Sequence, residues 1–298
     1  MIESQRYKDL IARESRHWGE VKYDPQNPQI WHDARLFEIF FGEEYRRLLR
    51  RATECGGEIL ELGCGVGGLA IELAAAGNRV TAIDLSPQRI EQARANAALR
   101  PGLNISFITA DLNTASLPPD QYDCIVAHDS LHHILSLGHL CDEILKSLKP
   151  GGRLLVMDYV GMGVFRKILA GFLYAVLPTY QPYRVKWGLR HRLKSFLASE
   201  ETKREAIEQS SAAELHHESP FEEISQGSIV REIHTRFRVR EEIFFAPFWF
   251  YLAAKLRISV TLKYSAARMF RAFDIFILRL RLARGAYVWI DAQKPSNY

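Results

Sequence analysis

The 298-residue sequence has few cysteines and no long apolar run. Its four cysteines, Cys55, Cys64, Cys124 and Cys141, form no C-x-x-C pair, which argues against a zinc knuckle and a disulfide framework. The longest apolar stretch, Ile243 to Ala254, is about a dozen residues, whereas a membrane-spanning helix needs about 20. The N-terminus has no apolar signal core. We therefore expect a cytoplasmic protein.

Acidic residues are scarce in one C-terminal segment, although the net charge of the whole chain is only +4. Between Pro247 and Arg284 there are eight basic residues and one acid, Asp274. Three interpretations stay open for this segment: a helical hairpin with a solvated basic side, a pocket lining for an anionic or lipid-linked acceptor, or a peripheral contact with the inner membrane surface. No basic module of a known nucleic-acid-binding kind is present, so no nucleic-acid partner is expected.

What the sequence does contain is a glycine-rich turn between two strand patterns. An apolar strand pattern ends in Glu61, a helix pattern follows, and a second strand, Val80 to Ile83, ends in Asp84. The turn holds four glycines, Gly63, Gly65, Gly67 and Gly68. Glycine lets a backbone approach a ligand closely, and the free amides at a helix start then face that ligand. The pattern predicts one β-α-β unit with a nucleotide site at its turn.

Two nucleotide-binding templates fit this turn. Gly63, Gly65 and Gly68 match the dinucleotide fingerprint, with Asp84 at about the spacing of an acid that binds a ribose hydroxyl. Glu61 favours the other template, because a carboxylate at the strand end would repel a pyrophosphate. It suits S-adenosylmethionine (SAM), which carries an ammonium and a sulfonium and has no phosphate.

The dehydrogenase alternative lacks its catalytic pair. Short-chain dehydrogenases use a Tyr-x-x-x-Lys pair, and this spacing occurs only at Tyr251 and Lys255. Both residues lie in an apolar segment far from the expected strand, so we interpret the match as coincidence.

The pattern E-x-G-x-G-x-G from Glu61 to Gly67 resembles motif I of the class I SAM-dependent methyltransferases. The resemblance continues to about residue 160. A third strand pattern, Ile105 to Ala110, precedes Asp111, and a fourth, Tyr122 to Ala127, precedes the L-H-H run. A helix pattern, Cys141 to Leu148, then leads to a K-P-G-G turn and a fifth strand, Leu154 to Tyr159.

The resemblance implies an α/β fold, a doubly wound Rossmann-like sheet of seven strands. Its last strand, Ala286 to Ala292, is expected to lie antiparallel between the fifth strand and the sixth, Arg238 to Phe245. One methyltransferase domain, 1–298, is expected. Its parts are N-terminal helices (1–57), a SAM-binding core (58–160), a helical lid insert (161–237), and the last two strands (238–293) with a helical hairpin (247–284) between them.

The resemblance also implies a set of cofactor-binding residues. Asp84 is expected to accept hydrogen bonds from both ribose hydroxyls, or alternatively to cap the next helix. Asp111 is expected to accept from the adenine amino group, or alternatively to be a turn residue. Leu85 and Leu112 are expected to sandwich the adenine ring. The methionine moiety and its surroundings are assigned to Glu61, Gly63, Cys64, Gly65, Gly67 and His128.

Methyl transfer to a hydroxyl or carbon acid needs a proton removed, and imidazole titrates in a suitable range. The candidates for this general base are His128, His132 and His133, which follow the fourth strand. The favoured alternative is that these histidines only pack near the cofactor. The spacing of His128 and His132 also suggests a metal pair, but no carboxylate is arranged in this loop to complete a site, so no metal is expected.

The 161–237 insert contains a histidine pair and a helix-capping pattern. His216 and His217, followed by Glu218, either face the acceptor or belong to an exposed linker. Ser219 to Glu222 is a capping box with proline at the first helical position. It predicts the start of a helix that ends before Arg238, either continuous or broken near Gly227.

These features predict a SAM-dependent methyltransferase that acts on a small or lipid-linked acceptor, foremost at a hydroxyl of a glycan or secondary metabolite. A membrane-associated quinone or isoprenoid C-methyltransferase is the second hypothesis. A catalytically silent SAM-binding subunit is the third.

Overall fold

The structure is a computed structural model that describes residues 4–20, 24–188, 202–203, 207 and 219–296. The helices are α1 (Ser4–Glu20), α2 (Ala34–Cys55), α3 (Gly68–Ala75), α4 (Pro87–Ala98), α5 (Leu137–Ser147), α6 (Val164–Val176), α7 (Tyr183–Gly188), α8 (Ile229–Arg236), α9 (Phe250–Ala253) and α10 (Val260–Arg279). Single 3-10 turns cover Ile30–His32 and Leu131–His133. The strands are β1 (Glu58–Leu62), β2 (Arg79–Asp84), β3 (Ile105–Thr109), β4 (Tyr122–His128), β5 (Leu148–Tyr159), β6 (Arg238–Phe245) and β7 (Tyr287–Gln293).

The strands form one seven-stranded sheet in the order β3-β2-β1-β4-β5-β7-β6. Neighbours from β3 to β5 are parallel, and β7 pairs antiparallel with both β5 and β6. The predicted fold class is therefore confirmed, including the last strand between the fifth and the sixth. The chain runs outward from β1 to β3 and then returns to β4 on the other side of β1. In sheets of this kind, ligands bind at the carboxyl ends of the strands where the order reverses, here β1 and β4.

Alternate residues of the central strands bury opposite faces of the sheet. Ile59 and Val126 pack with α2, α3 and α4 in one apolar cluster. Leu60 and Ile125 pack with α5 and α8 in the other. Because helices cover both faces of the sheet, the sequences of the central strands are nearly continuous apolar runs, as is typical of buried parallel sheets.

The predicted K-P-G-G turn lies inside β5. Leu148 pairs with Tyr122, and the pairing resumes at Arg153 opposite Cys124, with a register shift between these two points. Gly151, at φ 78°, provides the left-handed backbone that this bulge needs. The strand therefore begins earlier than the sequence predicts and bends at the glycines.

The helix start predicted at Ser219 is wrong, whereas a helix that ends before Arg238 is present. Turns cover residues 220–228, and helix α8 begins only at Ile229. The Ser219 hydroxyl donates to the carboxylate of Glu14, at 2.8 and 2.7 Å. Because the Ser219 side chain is bound to Glu14 of α1, it does not accept from the backbone amides that would begin a helix at this position. His216, His217 and Glu218 lie outside the described residues.

The segment 247–284, predicted as a helical hairpin, contains the short helix α9 and the 20-residue helix α10. Asp274, the acid of this segment, belongs to α10 and is buried. In the described part of the chain, no helix has both the length and the apolar character needed to span a membrane.

Candidate active site

The glycine turn after β1 is held against the end of β2. The amides of Gly63 and Cys64 both donate to the carbonyl of Ile83, at 2.8 and 2.9 Å. Gly63 has φ 72°, and a Cβ there would lie 2.4 Å from Cβ of Ser130. Glycine is therefore required at this position by both its backbone conformation and the nearby loop after β4.

Glu61, two residues before Gly63, is only 3% exposed. Among the described residues, its Oε2 atom has no hydrogen-bond partner. Burial, reinforced by the nearby Asp84 carboxylate, raises the pKa of Glu61 to about 8. The Ala70 amide donates to this carboxylate, but a buried oxygen that stays without a partner is costly, and a cationic ligand would relieve the cost. This observation fits the ammonium group of SAM.

Asp84 at the end of β2 ties the turn to the next helix. One carboxylate oxygen accepts from the Gly65 amide at 2.8 Å, and the other accepts from the Ser86 amide at 2.9 Å. Ser86 is the N-cap residue of α4, so the contact with the Ser86 amide corresponds to the helix-capping alternative for Asp84. A carboxylate has about four acceptor positions, which leaves capacity for ribose hydroxyls. The ribose role stays a prediction.

Asp111, after β3, is bound by the N-terminal helix. Its Oδ2 accepts from the Tyr7 hydroxyl at 2.5 Å, and its Oδ1 accepts from the backbone and side-chain amides of Asn113 at 2.9 Å. Burial and the Asp111 carboxylate raise the pKa of Tyr7. The adenine role of Asp111 stays a prediction, and helix α1 covers this end of the site.

Further contacts place α1 along the edge where the adenosine part is expected. The Ser15 hydroxyl donates to the Leu85 carbonyl at 3.4 Å, and Arg89 Nε donates to the Trp18 carbonyl at 2.8 Å. Leu85 is half-buried, whereas Leu112 is buried in the cluster that contains α5. No local pattern in the sequence signals these contacts, because each joins residues about 70 or more positions apart.

His132 is the predicted catalytic candidate with the most developed surroundings. It is buried, and its Nδ1 lies 2.6 Å from Oδ1 of Asp158. Burial alone would lower the pKa of His132, but the Asp158 charge and hydrogen bond outweigh burial and raise the pKa to about 10. The pair resembles the histidine–carboxylate arrangement in which the acid orients the ring and stabilises the imidazolium that forms on proton transfer.

Asp158 also fixes the loop that carries the histidine. Its Oδ2 accepts from the amides of Ser130 and Leu131, at 2.9 and 2.7 Å. The sequence prediction did not single out this residue, which lies in the apolar strand β5. The available signal was a single acid near the end of an otherwise apolar strand whose carboxyl end faces the site.

His133 faces away from Asp158 and lies between two elements. Its Nδ1 is 3.2 Å from Oε1 of Glu14, and its ring packs edge-on against Trp18 at 5.1 Å. Glu14 also accepts from the Phe221 amide at 3.2 Å. His133 therefore contributes to a cross-link between α1 and the turns before α8, which supports the packing alternative for this histidine.

His128, at the end of β4, packs against Tyr45 of α2 with ring centroids 5.4 Å apart. Burial lowers the pKa of His128, so it is neutral near pH 7. Tyr45 was not predicted as a site residue. Burial, together with the charges of Glu72 and Glu61, raises the pKa of Tyr45. The Tyr45 phenol is therefore close enough to Glu61 to interact with its charge.

Two groups of side chains could supply metal ligands, and within each group the ligand atoms lie within 4.8 Å of one another. The first group is His132, His133 and Glu222, and the second is Asp129, His132 and Asp158. Neither group contains His128, so the metal pair of His128 and His132 is not assembled among the described residues. In the second group, Asp158 already accepts from three backbone amides and pairs with the His132 ring. The absence of a metal stays a prediction.

Aromatic side chains border the His132 ring. Tyr159 lies 6.1 Å from His132 and 5.3 Å from Tyr287, by ring centroids. The Tyr287 hydroxyl donates to Asp129 at 3.3 Å. Asp129 is held at φ 53°, a conformation that costs energy outside glycine and is often found at functional sites. The carboxyl edge of the sheet thus combines a histidine–carboxylate pair with an aromatic wall.

Comparison with known proteins agrees with this geometry. A family model described as a methyltransferase domain matches residues 59–152. The mitochondrial ubiquinone biosynthesis O-methyltransferase of Schizosaccharomyces pombe is 30% identical over 213 residues, which are 67% of this chain and 72% of that protein. The ubiquinone biosynthesis O-methyltransferase of Xylella fastidiosa is 32% identical over 149 residues, which are 50% of this chain and 58% of that protein.

Other similarities are more distant. A protein of Talaromyces variabilis named as an S-adenosyl-L-methionine-dependent Diels-Alderase is 30% identical over 52% of this chain and 53% of its own. Among solved structures, the geranyl diphosphate C-methyltransferase of Streptomyces coelicolor has a TM-score of 0.55, 14% identity, and coverage of 96% of this chain and 98% of its own. At that identity the likeness describes the fold.

Proposed function

The chain belongs to the class I SAM-dependent methyltransferase family, and on this premise we propose that it transfers the methyl group of SAM to a hydroxyl of a small or lipid-linked acceptor. The observation that carries the proposal is the buried pair of His132 and Asp158 at the carboxyl edge of the sheet, beside the glycine turn. SAM, when bound, supplies a methyl group already activated by its sulfonium.

Three acids at consecutive strand ends would hold the cofactor. Glu61 has a buried, unpartnered oxygen among the described residues and suits the ammonium group. Asp84 keeps acceptor capacity for the ribose, and Asp111 is fixed by Tyr7 at the expected adenine end. We propose the backbone of Gly63, Gly65 and Gly67 as a contact of the methionine moiety. The glycines let this turn pack closely against its neighbours, since a Cβ at Gly63 would meet Ser130 and a Cβ at Gly67 would meet Ala93. Cys64, Leu85, Leu112 and His128 complete the proposed surroundings.

His132 would remove the acceptor proton. Its Nδ1 is held by Asp158, so Nε2 is the nitrogen that would accept the proton of the acceptor hydroxyl. With that proton on Nε2, the acceptor oxygen would be free to take the methyl group, which bound SAM would supply by loss of its bond to sulfur, leaving neutral S-adenosylhomocysteine. Asp158 stabilises the imidazolium that results, which is the state its charge favours. We propose His133 and His128 as supporting residues, because His133 contacts Glu14 and His128 packs against Tyr45.

The surroundings of His132 favour one class of hydroxyl. Tyr159 and Tyr287 form an aromatic wall beside it. Aromatic faces bind flat, apolar rings well, and a phenol loses its proton more readily than a sugar hydroxyl. We therefore favour a phenolic or similar secondary metabolite over a glycan. Two of the relatives carry the name ubiquinone biosynthesis O-methyltransferase, which supports methylation at oxygen.

Two alternatives have some support. A C-methyltransferase for a quinone or isoprenoid also needs a base, and the fold matches that of a geranyl diphosphate C-methyltransferase. A silent SAM-binding subunit would need no base, and the name of the Diels-Alderase relative implies that this family also includes other chemistry. The buried His132–Asp158 pair favours transfer over the silent subunit, because a buried charged pair is costly to keep without a role.

A product-mass screen tests the proposal. The protein is incubated with SAM and a panel of phenols, quinols, glycosides and isoprenoids, and products are identified by mass and fragmentation. A gain of one CH2 at oxygen of a phenol or quinol is expected. A gain at carbon would favour the C-methyltransferase, and SAM binding with no product across the panel would favour the silent subunit.

A further inference from the structure

Helix α6 exposes an apolar stripe. Phe165, Ile168, Phe172 and Val176 recur at helical spacing and are all exposed, Phe165 by 79%. The opposite side of the helix is buried. In an ordinary soluble helix the exposed face is polar, so this face needs an apolar or interfacial partner.

Helix α10 has a second stripe of the same kind. Met269, Phe273, Phe276 and Leu280 follow one another at intervals of three or four residues and are exposed. The other side of α10 packs on α2, where Arg271 pairs with Glu44 at 2.9 Å. The stripe therefore faces away from the domain.

The two stripes belong to one region of the molecule. At the start of α6, Arg166 donates to the carbonyls of Pro247 and Arg284, and Arg284 lies just after α10. At the end of α6, the Pro178 carbonyl accepts from Arg257, shortly before α10. Helices α6 and α10 therefore run past each other in opposite directions, with α9 packed against both. We call the exposed faces of α6, α7 and α10 the α6–α10 surface.

This region is strongly basic. Residues 161–188 and 247–284 together contain twelve Lys or Arg residues and one acid. That acid, Asp274, is fully buried. Arg268, Arg279 and Arg281 are exposed next to the apolar stripe. The charge identifies the partner: a second copy would bring the same positive surfaces together, which is repulsive, whereas an anionic lipid surface is complementary.

We propose that the α6–α10 surface rests on an anionic membrane, with its aromatic side chains in the interface and its arginines at the lipid headgroups. Aromatic and apolar side chains on a basic helix bind membranes in this way, and arginines reach from the apolar boundary to the headgroups. Two arginines, Arg279 and Arg281, interrupt the apolar run that begins at Phe276 near the end of α10, which suits lying on the surface rather than crossing it. The inference is independent of the proposed methyl transfer.

The surface lies close to the candidate active site along the chain. Strand β5 ends at Tyr159, which borders His132, and α6 begins at Val164. A lipid-linked acceptor could reach the site from a membrane held at this surface.

Vesicle co-sedimentation of the full chain tests the proposal. Vesicles of phosphatidylcholine alone are compared with vesicles that also contain phosphatidylglycerol. Strong binding is expected only to the anionic vesicles and should weaken as salt is raised, because the headgroup attraction is screened. Arg268→Gln with Arg279→Gln should lower the partition coefficient about fivefold for each charge removed. Phe165→Ser with Phe276→Ser should lower it at least as strongly.

The end of α4 offers matched controls. Leu99 is 81% exposed and Arg100 is also exposed, and α4 packs beside β3, at the opposite edge of the sheet from β6. Leu99→Ser and Arg100→Gln should leave vesicle binding unchanged. SAM binding, measured in the same samples, shows whether each variant is folded and keeps this test separate from catalysis.

Three results would overturn the proposal. The first is equal binding to both kinds of vesicle, or to neither, by protein that binds SAM. The second is an equal loss of binding in the α4 controls. The third is a stable dimer by light scattering that the Phe165 and Phe276 substitutions convert to monomer, since the surface would then belong to a second copy.

Discussion

Nδ1 of His132 lies 2.6 Å from Oδ1 of Asp158, and both side chains are buried at the carboxyl edge of the sheet. One residue comes from the loop after β4 and the other from β5, so the pair exists only once the two strands have paired. Because Asp158 also accepts from two amides of the loop, it positions the histidine and sets its charge.

Asp158→Asn should move the pH dependence of methyl transfer. The carboxylate raises the pKa of His132 to about 10, so the neutral base is formed only as pH rises toward that value. The variant lacks this charge, and burial then lowers the pKa of His132. The rising limb of the kcat profile should shift to lower pH by at least about one unit, while the maximal rate falls at least about tenfold.

The matched control for this profile is Asp120→Asn, at an exposed acid paired with Lys294 at 2.9 Å. It should leave the profile unchanged. An Asp158→Asn enzyme with lowered kcat but an unshifted profile would show that Asp158 acts only through packing. His132→Gln should lower kcat on the order of a hundredfold with little change in SAM affinity.

Gly63→Ala should destabilise the protein by roughly 1–3 kcal/mol and weaken SAM binding. The added Cβ meets Ser130 at 2.4 Å, and φ is 72°. Gly68, in the same motif, has open space around its Cβ position and begins α3. Gly68→Ala should be neutral or slightly stabilising because alanine favours helix. Urea denaturation measures both, and equal effects would refute the packing argument.

Glu14→Gln should loosen the cross-link between α1 and the turns before α8. Burial alone would raise the pKa of Glu14, but His133, Ser219 and the Phe221 amide outweigh burial and lower it below 4.5. A lowered carboxylate pKa contributes stability that is present above pH 4.5 and is lost as pH falls through the folded value. The variant should therefore be less stable by about 1–3 kcal/mol at pH 7.

This difference should shrink as pH falls below 4.5, because the unfolded chain then binds a proton that the folded Glu14 carboxylate takes up only at lower pH. Chemical denaturation at several pH values measures the difference. Glu54→Gln, at an exposed position on α2, is the control and should change stability little. A difference that does not vary with pH would contradict the electrostatic account of the cross-link.

Much of the fold and part of the site could be predicted because their signals are local. The apolar strand patterns, the glycines between β1 and α3, and the acids Asp84 and Asp111 at strand ends all follow from short stretches of sequence. The place of the last strand between the fifth and the sixth followed from resemblance to the family, and the structure has the same arrangement.

The remaining features depend on contacts between distant parts of the chain. Tyr7 meets Asp111 across 104 positions, and Asp158 meets His132 across 26. The capping box at Ser219 misled for the same reason, since Glu14, 205 positions away, accepts from the cap hydroxyl. Local propensity determines a helix start only where tertiary contacts leave the cap side chain available.

The central claim is that Glu61 at the glycine turn receives the ammonium of SAM. Its pKa is about 8 in the free protein because of burial and Asp84. A bound cation favours the charged carboxylate, so binding should release up to one proton near pH 7, and SAM affinity should rise with pH toward about 8.

Calorimetry of SAM binding near pH 7, in buffers of different ionisation enthalpy, measures this proton directly. We predict proton release with SAM and with S-adenosylhomocysteine, which both carry the ammonium. We predict none with methylthioadenosine, which lacks it, and none in the Glu61→Gln variant, whose SAM affinity should also fall. SAM binding without proton release by the wild-type protein, or equal release by Glu61→Gln, would contradict the account.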